Sequence, residues 1–397
     1  MSDIKWQENK MPKTADKNLS IMSIEEVKKA KAFHESFPQY SNTPLAELKE
    51  MSKYLGLGAI KVKDESYRFG LNAFKVLGGS YSMAKYIAQK MGKDVSELPY
   101  DILVSKKLKD EFGQATFFSA TDGNHGRGVA WAANKLGQKC VIFMPKGTTE
   151  IRLNNILKEG ATATIEKYNY DECVRMAADA ASKVKNGVVI QDTAWEGYEE
   201  IPAWIMQGYG TMALESDEQF GEKPTHIFVQ AGVGSLAGAI VGYFSNKYKD
   251  NPPKMIVVEA SAAACLYKGA VAGDGNIRIV DGDLNTIMAG LACGEPNITS
   301  WDILKNHVDC FISAEDIIAA RGMRMLSAPL KGDAQVISGE SGAAPFGALA
   351  TIMLNDEYSE LRKKLDLNSN SKVLLFSTEG DTDPQRWKNI IWEAKNK

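Results

Sequence analysis

Lys75 is placed where an amine could attack an aldehyde. It lies in the stretch Phe69-Gly70-Leu71-Asn72-Ala73-Phe74-Lys75-Val76-Leu77-Gly78-Gly79-Ser80. A strand pattern, Ile60-Lys61-Val62-Lys63, precedes it, and Phe74, Leu77, Tyr81, Ala84 and Ile87 then recur at helical spacing. The change of period puts Lys75 in the first helical turn. Pressed by Phe74 and Leu77, the amine loses solvation, its pKa falls, and the neutral form becomes a nucleophile that can form a Schiff base. The plain alternative is a solvated lysine on a helix face, and the other loops decide between the two.

Two of those loops run from strand to helix. In Ser119-Ala120-Thr121-Asp122-Gly123-Asn124-His125-Gly126-Arg127-Gly128, glycines at 123, 126 and 128 would let backbone approach a ligand, and the helix N-terminus favours an anion. Asn124 is placed to donate to a ring oxygen, and Asp122 to act either as a base or as a helix cap. In Gln230-Ala231-Gly232-Val233-Gly234-Ser235-Leu236-Ala237-Gly238, the amides of Gly232, Val233, Gly234, Ser235 and Leu236 would form a phosphate cradle backed by the helix dipole. A turn that only packs helix on strand is the bland reading. A third reading is a loosened dinucleotide fingerprint, with Glu259 standing where a ribose-binding acid would. The lysine separates these: a nicotinamide enzyme has no use for it, whereas a pyridoxal phosphate enzyme needs both an aldehyde-trapping lysine and a phosphate cradle.

Two further loops add polar groups. Asp192, in Gln191-Asp192-Thr193-Ala194-Trp195-Glu196-Gly197-Tyr198, is a second carboxylate at a strand end, or part of a solvated linker. Ser377 and Thr378 follow the apolar run Val373-Leu374-Leu375-Phe376. A hydroxyl facing a pyridine nitrogen would leave that nitrogen unprotonated, a milder electron sink suited to β-elimination; helix capping by Ser377 or Asp383 is the simpler account.

The elements that must position these groups alternate regularly. Strand patterns near 115–121, 139–145, 162–168 and 187–193 are separated by helical ones near 125–137, 149–159 and 170–186. A second set follows, with strands at Ile227-Phe228-Val229, Met255-Ile256-Val257-Val258, Phe311-Ile312-Ser313 and the run at 373–376, and a helix over 235–249. Residues 1–40 are polar and irregular apart from a helical pattern through Ile24, Val27 and Phe33. This predicts an α/β protein with two open, mostly parallel sheets flanked by helices, and an active site in the cleft between a large and a small domain. The large, cofactor-binding domain is expected to comprise 1–89 and 194–397, and the small domain 90–193.

Composition bounds the rest. With 397 residues, 44% hydrophobic and 24% charged, the chain can bury a large core. Net charge is −3 with scattered basic residues, which gives no footprint for nucleic acid or an anionic membrane and favours a small-molecule substrate. The N-terminal residues carry no apolar signal core and no run would span a bilayer, so a cytoplasmic location is expected. Five dispersed cysteines and four histidines suggest neither a disulfide framework nor a metal site.

Asn72-Ala73-Phe74-Lys75, Asp122-Gly123-Asn124-His125-Gly126, the loop at 232–236 and Ser377-Thr378 occur in the order seen in the tryptophan synthase β-subunit family (fold type II) of pyridoxal phosphate enzymes. The resemblance covers roughly residues 40–390. Three longer phrases, together with the segment at 63–75, resemble a branch that eliminates ammonia from 2,3-diaminopropionate. They are Asp192-Thr193-Ala194-Trp195-Glu196-Gly197-Tyr198, Met288-Ala289-Gly290-Leu291-Ala292-Cys293-Gly294-Glu295-Pro296 and Ser377-Thr378-Glu379-Gly380-Asp381-Thr382-Asp383.

The resemblance implies pyridoxal 5'-phosphate on Lys75, Asn124 on the cofactor's phenolic oxygen, its phosphate on residues 232–236, Thr378 (or, second, Ser377) facing the pyridine nitrogen, and a homodimer. It implies a carbon–nitrogen lyase that converts the D and L forms to pyruvate and ammonia. Relatives that dehydrate serine or threonine carry a serine where this chain has Asp122, and usually a longer glycine run where it has Val233. Ammonia leaves only as a protonated amine, so the carboxylates of Asp122 and Asp192 suit a diamine. A serine/threonine dehydratase, a nicotinamide oxidoreductase and a non-catalytic phosphate-ligand sensor are the alternatives.

Overall fold

The computed structural model describes residues 3–121 and 123–396. The chain divides into two compact units, one made of Met1–Ile24, Asn42–Tyr67 and Met212–Lys397, the other of Glu25–Ser41 and Arg68–Thr211. Each is built on its own sheet flanked by helices.

In the first unit the described strands form a seven-stranded sheet, in the order Ile4–Glu8, Cys310–Ala314, Lys254–Ala260, His226–Gln230, Lys372–Ser377, Ala59–Asp64, Leu45–Glu47. The five inner strands are mutually parallel. Their apolar runs are buried on both faces, as at His226–Gln230 and Cys310–Ala314, which is why they read as continuous hydrophobic stretches. The two outer strands pair antiparallel. Ile4–Glu8 buries only Ile4 fully, so its sequence carries no strand period, and the expectation of an irregular segment there is corrected. Leu45–Glu47 is short and not fully buried, as edge strands often are.

Deep in this unit Lys63 Nζ donates to Glu215 Oε2 at 2.6 Å, to Gln219 Oε1 at 2.7 Å and to the Thr43 carbonyl at 2.8 Å. Thr43 Oγ1 donates to Glu65 Oε1 at 2.6 Å. Lys63 and Glu215 are both fully buried.

The second unit carries a parallel four-stranded sheet in the order Thr162–Ile165, Lys139–Met144, Thr116–Ala120, Gly187–Val189. The helices Asn124–Lys135, Glu150–Lys158 and Tyr170–Ser182 fall where the sequence periods put them. Thr162–Ile165 and Gly187–Val189 stop short of the predicted 168 and 193. The chain after Val189 leaves the sheet early, and that release carries Asp192 to Lys75. The helix Val76–Lys90 packs in this unit through bare glycines: a Cβ on Gly128 would lie 2.7 Å from the Val76 nitrogen, and one on Gly79 would lie 3.4 Å from the Val129 nitrogen.

Candidate active site

Lys75 occupies the N-cap of Val76–Lys90 with helical dihedrals, one position before the first turn that the sequence predicts. Its neighbours Phe74 and Leu77 are buried, as expected. Its ammonium is bonded to Asp192 Oδ2. Asp192 is itself buried, 6% exposed, so the solvated-linker reading of this loop is wrong.

The scaffolding around Asp192 comes from the residues on either side of it. The Ile190 N–H donates to the Phe118 carbonyl at 2.8 Å. The buried Gln191 side chain accepts from Ser119 Oγ at 3.0 Å and the Ala120 N–H at 3.1 Å, and donates to Tyr170 Oη at 2.6 Å. Tyr198 Oη accepts from the Gln191 N–H and donates to the Val189 carbonyl, both at 2.9 Å. The loop is thus sewn to the end of Thr116–Ala120, with the Asp192 side chain bonded to the lysine.

Burial by itself pushes the Asp192 carboxyl up. The charges of His125 and Lys75 and the hydrogen bond from Lys75 outweigh it, and the group is held far below the usual carboxylate range. His125 is a residue for which the sequence reading assigned no role. Its Nε2 lies 2.9 Å from the Ile190 carbonyl, which can only accept, so Nε2 carries hydrogen and Nδ1 faces Asp192 Oδ2 at 3.8 Å. The signal was available: His125 stands one residue after Asn124 at the start of the same helix.

Asn124 opens the helix Asn124–Lys135 and is half-buried. Asp122, the second predicted carboxylate, lies outside the described residues. Two glycines of this loop serve close packing. A Cβ on Gly126 would lie 2.2 Å from Thr121 Cγ2, and Gly128 admits the backbone of Val76.

The loop expected to cradle a phosphate lies in the first unit. Gly234 caps the helix Ser235–Tyr248 in the left-handed region at φ 104°, where a Cβ would also meet Ser300 Oγ at 2.8 Å. A Cβ on Gly232 would lie 3.0 Å from the Gly290 carbonyl oxygen and 3.2 Å from Leu291 Cα. The phrase at 288–296 therefore floors the cradle. Asn297 braces it: its N–H donates to the Val233 carbonyl at 2.7 Å and its Nδ2 to Ser235 Oγ at 2.8 Å. It also caps the helix Ile298–His307 through Oδ1. Asn297 directly follows the phrase that drew notice, yet no role was assigned to it.

The first-turn amides of a helix have no intrahelical acceptors, so residues 232–236 offer N–H groups and a positive dipole end, which fits a dianionic phosphate. Val233 would not interfere, because backbone amides would do the binding. Glu259 is not a ribose acid: fully buried, it accepts from the N–H groups of Leu266 at 2.8 Å and Tyr267 at 2.6 Å, capping Cys265–Ala272. That removes the feature that supported a dinucleotide reading.

Thr378 follows Lys372–Ser377 at the carboxyl edge of the sheet and is buried. Its Oγ1 donates to Glu379 Oε2 at 2.6 Å and accepts from Gln230 Nε2 at 2.7 Å. Ser377 Oγ instead donates to Ser338 Oγ at 2.8 Å, inside the strand's packing. Of the predicted residues, the fold brings Lys75 and Asp192 into direct contact. It ties the strand entering the cradle to Thr378 through Gln230. Among the described residues no group of histidine, cysteine, aspartate and glutamate could hold a metal ion, and no helix is long and apolar enough to cross a membrane.

The profile of the family described as pyridoxal-phosphate dependent enzyme matches residues 37–379. A diaminopropionate ammonia-lyase of Salmonella typhimurium is 50% identical over 370 residues, covering 92% of this chain and 91% of the relative. That of Escherichia coli K12 is 46% identical over 380 residues, covering 95% and 94%. A crystal structure of the Escherichia coli enzyme in complex with an aminoacrylate-PLP azomethine reaction intermediate superposes with a TM-score of 0.89 at 43% identity, over 99% of this chain and 98% of that one. With a lysine paired to a buried carboxylate, a cradle built of backbone amides, and a family profile that spans most of its length, this chain belongs to the pyridoxal-phosphate dependent enzymes.

Proposed function

We propose that this chain is a pyridoxal phosphate-dependent ammonia-lyase that converts D- and L-2,3-diaminopropionate and one water to pyruvate and two ammonia molecules. The observation that carries the reading is the Lys75–Asp192 pair, which holds an amine and a carboxylate in contact where an amino-acid substrate needs both. The names of the most similar relatives support the substrate.

When bound, the cofactor supplies an aldehyde carbon and an electron-withdrawing ring. Lys75 is the amine for that carbon, and it must first give up a proton and release Asp192. Residues 232–236 would hold the phosphate through their amides, Asn124 would donate to the phenolic oxygen, and Thr378 would meet the ring nitrogen. The α-hydrogen is taken by Asp122, Asp192 or Lys75, according to the substrate's hand. The other carboxylate holds the β-ammonium, which departs as ammonia. Release of the unsaturated amine and its hydrolysis give pyruvate and the second ammonia.

Both diaminopropionate enantiomers and both enantiomers of serine should be offered to the holoenzyme while pyruvate and ammonia are counted. Two ammonia per pyruvate from diaminopropionate, at rates well above those from serine, is the expected result. Turnover of serine or threonine alone would make it a dehydratase of the same family. A homodimer, on the family resemblance, and a cytoplasmic setting complete the reading; light scattering of the purified holoenzyme tests the first.

A further inference from the structure

The hydroxyl of Thr378 has one proton to give, and the surrounding hydrogen bonds fix where it goes. Gln230 Nε2 lies 3.2 Å from the Phe376 carbonyl oxygen, which can only accept. That terminus of the Gln230 side chain is therefore the amide nitrogen, and its second hydrogen goes to Thr378 Oγ1 at 2.7 Å. With Gln230 donating, Thr378 spends its own proton on Glu379 Oε2 at 2.6 Å, a distance typical of a charge-assisted O–H···O bond.

Glu379 is built to be that acceptor. Its Oε1 takes the N–H of Gly342 at 2.8 Å, in the first turn of Glu340–Leu354, where the helix dipole favours an ionised carboxylate. Its carbonyl takes the Gly339 N–H at 2.8 Å. Neither glycine can gain a side chain without displacing this arrangement: a Cβ on Gly339 would lie 2.8 Å from Glu379 Cγ, and one on Gly342 would lie 2.8 Å from the Thr378 nitrogen. Gln230, Thr378 and Glu379 are all buried, so water does not compete for these bonds.

We propose that Thr378 presents a lone pair, not its proton, to the cofactor's ring nitrogen, and that Glu379, acting through Thr378, holds that nitrogen in its protonated form. This rests on the reading that Thr378 faces the ring nitrogen. It reverses the electronic expectation drawn from the hydroxyl alone: the bond runs from the ring N–H to Thr378, and from the Thr378 O–H to the Glu379 carboxylate. A cationic ring, with a carboxylate one hydroxyl away, is the stronger electron sink. Glu379 is thus a positioning residue, setting the direction of a hydrogen bond that it does not itself make.

Cofactor labelled with ¹⁵N in the ring, bound to the holoenzyme, gives the test, because pyridine and pyridinium nitrogens resonate far apart. The wild-type signal should be at the pyridinium position, and Glu379→Gln should move it to the pyridine position. In that variant the new amide donates to Thr378, whose proton is then free to turn to the ring. Exchange of the substrate α-hydrogen should slow about tenfold or more alongside. A wild-type signal at the pyridine position that Thr378→Val still perturbs overturns the inference and keeps Thr378 at the nitrogen. A signal indifferent to both substitutions, with cofactor bound, overturns the placement of Thr378 itself. The wild-type spectrum decides the direction even if neither variant folds.

Discussion

Asp192 pairs with Lys75 across 117 residues of sequence, and an anion in that place favours the ammonium form of the proposed nucleophile. An ammonium is not a nucleophile, so cofactor attachment has to begin by breaking this pair. The Asp192 carboxyl sits far below its ordinary range because His125 and Lys75 more than offset its burial. Lys75→Ala should abolish elimination while the cradle still binds free cofactor. Borohydride reduction and peptide mapping check this: a reduced adduct on another lysine in the variant would move the attachment point.

The proposed cradle makes a different demand on its residues, because its ligands would be amides. Gly234 has φ 104° and lies against Ser300 Oγ, so Gly234→Val is both strained and crowded. Ser235→Ala removes one bond from Asn297 and leaves the backbone alone. Equilibrium dialysis should show cofactor affinity falling at least about tenfold more in Gly234→Val than in Ser235→Ala. Equal losses would assign the phosphate to the serine hydroxyl.

These two sites differ in how legible they were. The strand-to-helix loops could be read because apolar runs buried on both faces end in glycine-rich turns, and Lys75 stands at a change of period. Glu379, Gln230 and Asn297 could not be, although all three stand in or beside phrases that drew attention. Their roles depend on hydrogen bonds between segments mostly far apart in sequence, which no local period encodes. Glu259 shows the opposite failure. Its position matched a motif, while its surroundings made it a helix cap. The edge strand Ile4–Glu8 was missed because pairing, not burial, makes it a strand.

Buried ionic structure outside the proposed chemistry also predicts an outcome. Lys63 and Glu215 are fully buried and bonded at 2.6 Å. Lys63→Met leaves the Glu215 charge without its cation and should cost about 3–5 kcal/mol. Converting both to well-packed apolar residues should cost much less. Denaturant midpoints of the single and double variants measure the difference, and similar losses in both would show that volume, not charge, is what the pair supplies.

Glu259 gives a pH signature. Burial pushes its carboxyl up to about 8, against the opposing pull of the Leu266 and Tyr267 amides. An unfolded glutamate titrates near about 4.3. Between these values the folded chain keeps a proton that the unfolded chain has lost, so the group's contribution to stability falls as pH rises through this window and levels off above 8. Glu259→Gln cannot titrate. Its melting temperature relative to wild type should therefore climb from pH 5 to pH 9, whereas an offset independent of pH would mean that Glu259 stays ionised in the folded protein.

The last prediction concerns the two aspartates. A Cα–H bond breaks most easily when it stands perpendicular to the conjugated plane of the bound cofactor. Enantiomers that share a carboxylate position therefore offer their hydrogens to opposite faces, and one base cannot serve both. Asp122 precedes Gly123-Asn124, and we assign it to the D-enantiomer. Asp192 is assigned to the L-enantiomer, helped or replaced there by Lys75, to which it is bonded. Whichever carboxylate is idle as a base can hold the β-ammonium, so each removal damages both reactions to some degree. The prediction is thus one of ratios. Asp122→Asn should lose activity on the D form at least about tenfold more than on the L form, and Asp192→Asn should do the reverse, with cofactor retained in each. Asp192→Asn also removes the anion that favours Lys75 as an ammonium, so cofactor attachment in that variant should be faster than in wild type. Equal losses on both enantiomers in both variants would make the aspartates substrate anchors and leave Lys75 as the base on one face only.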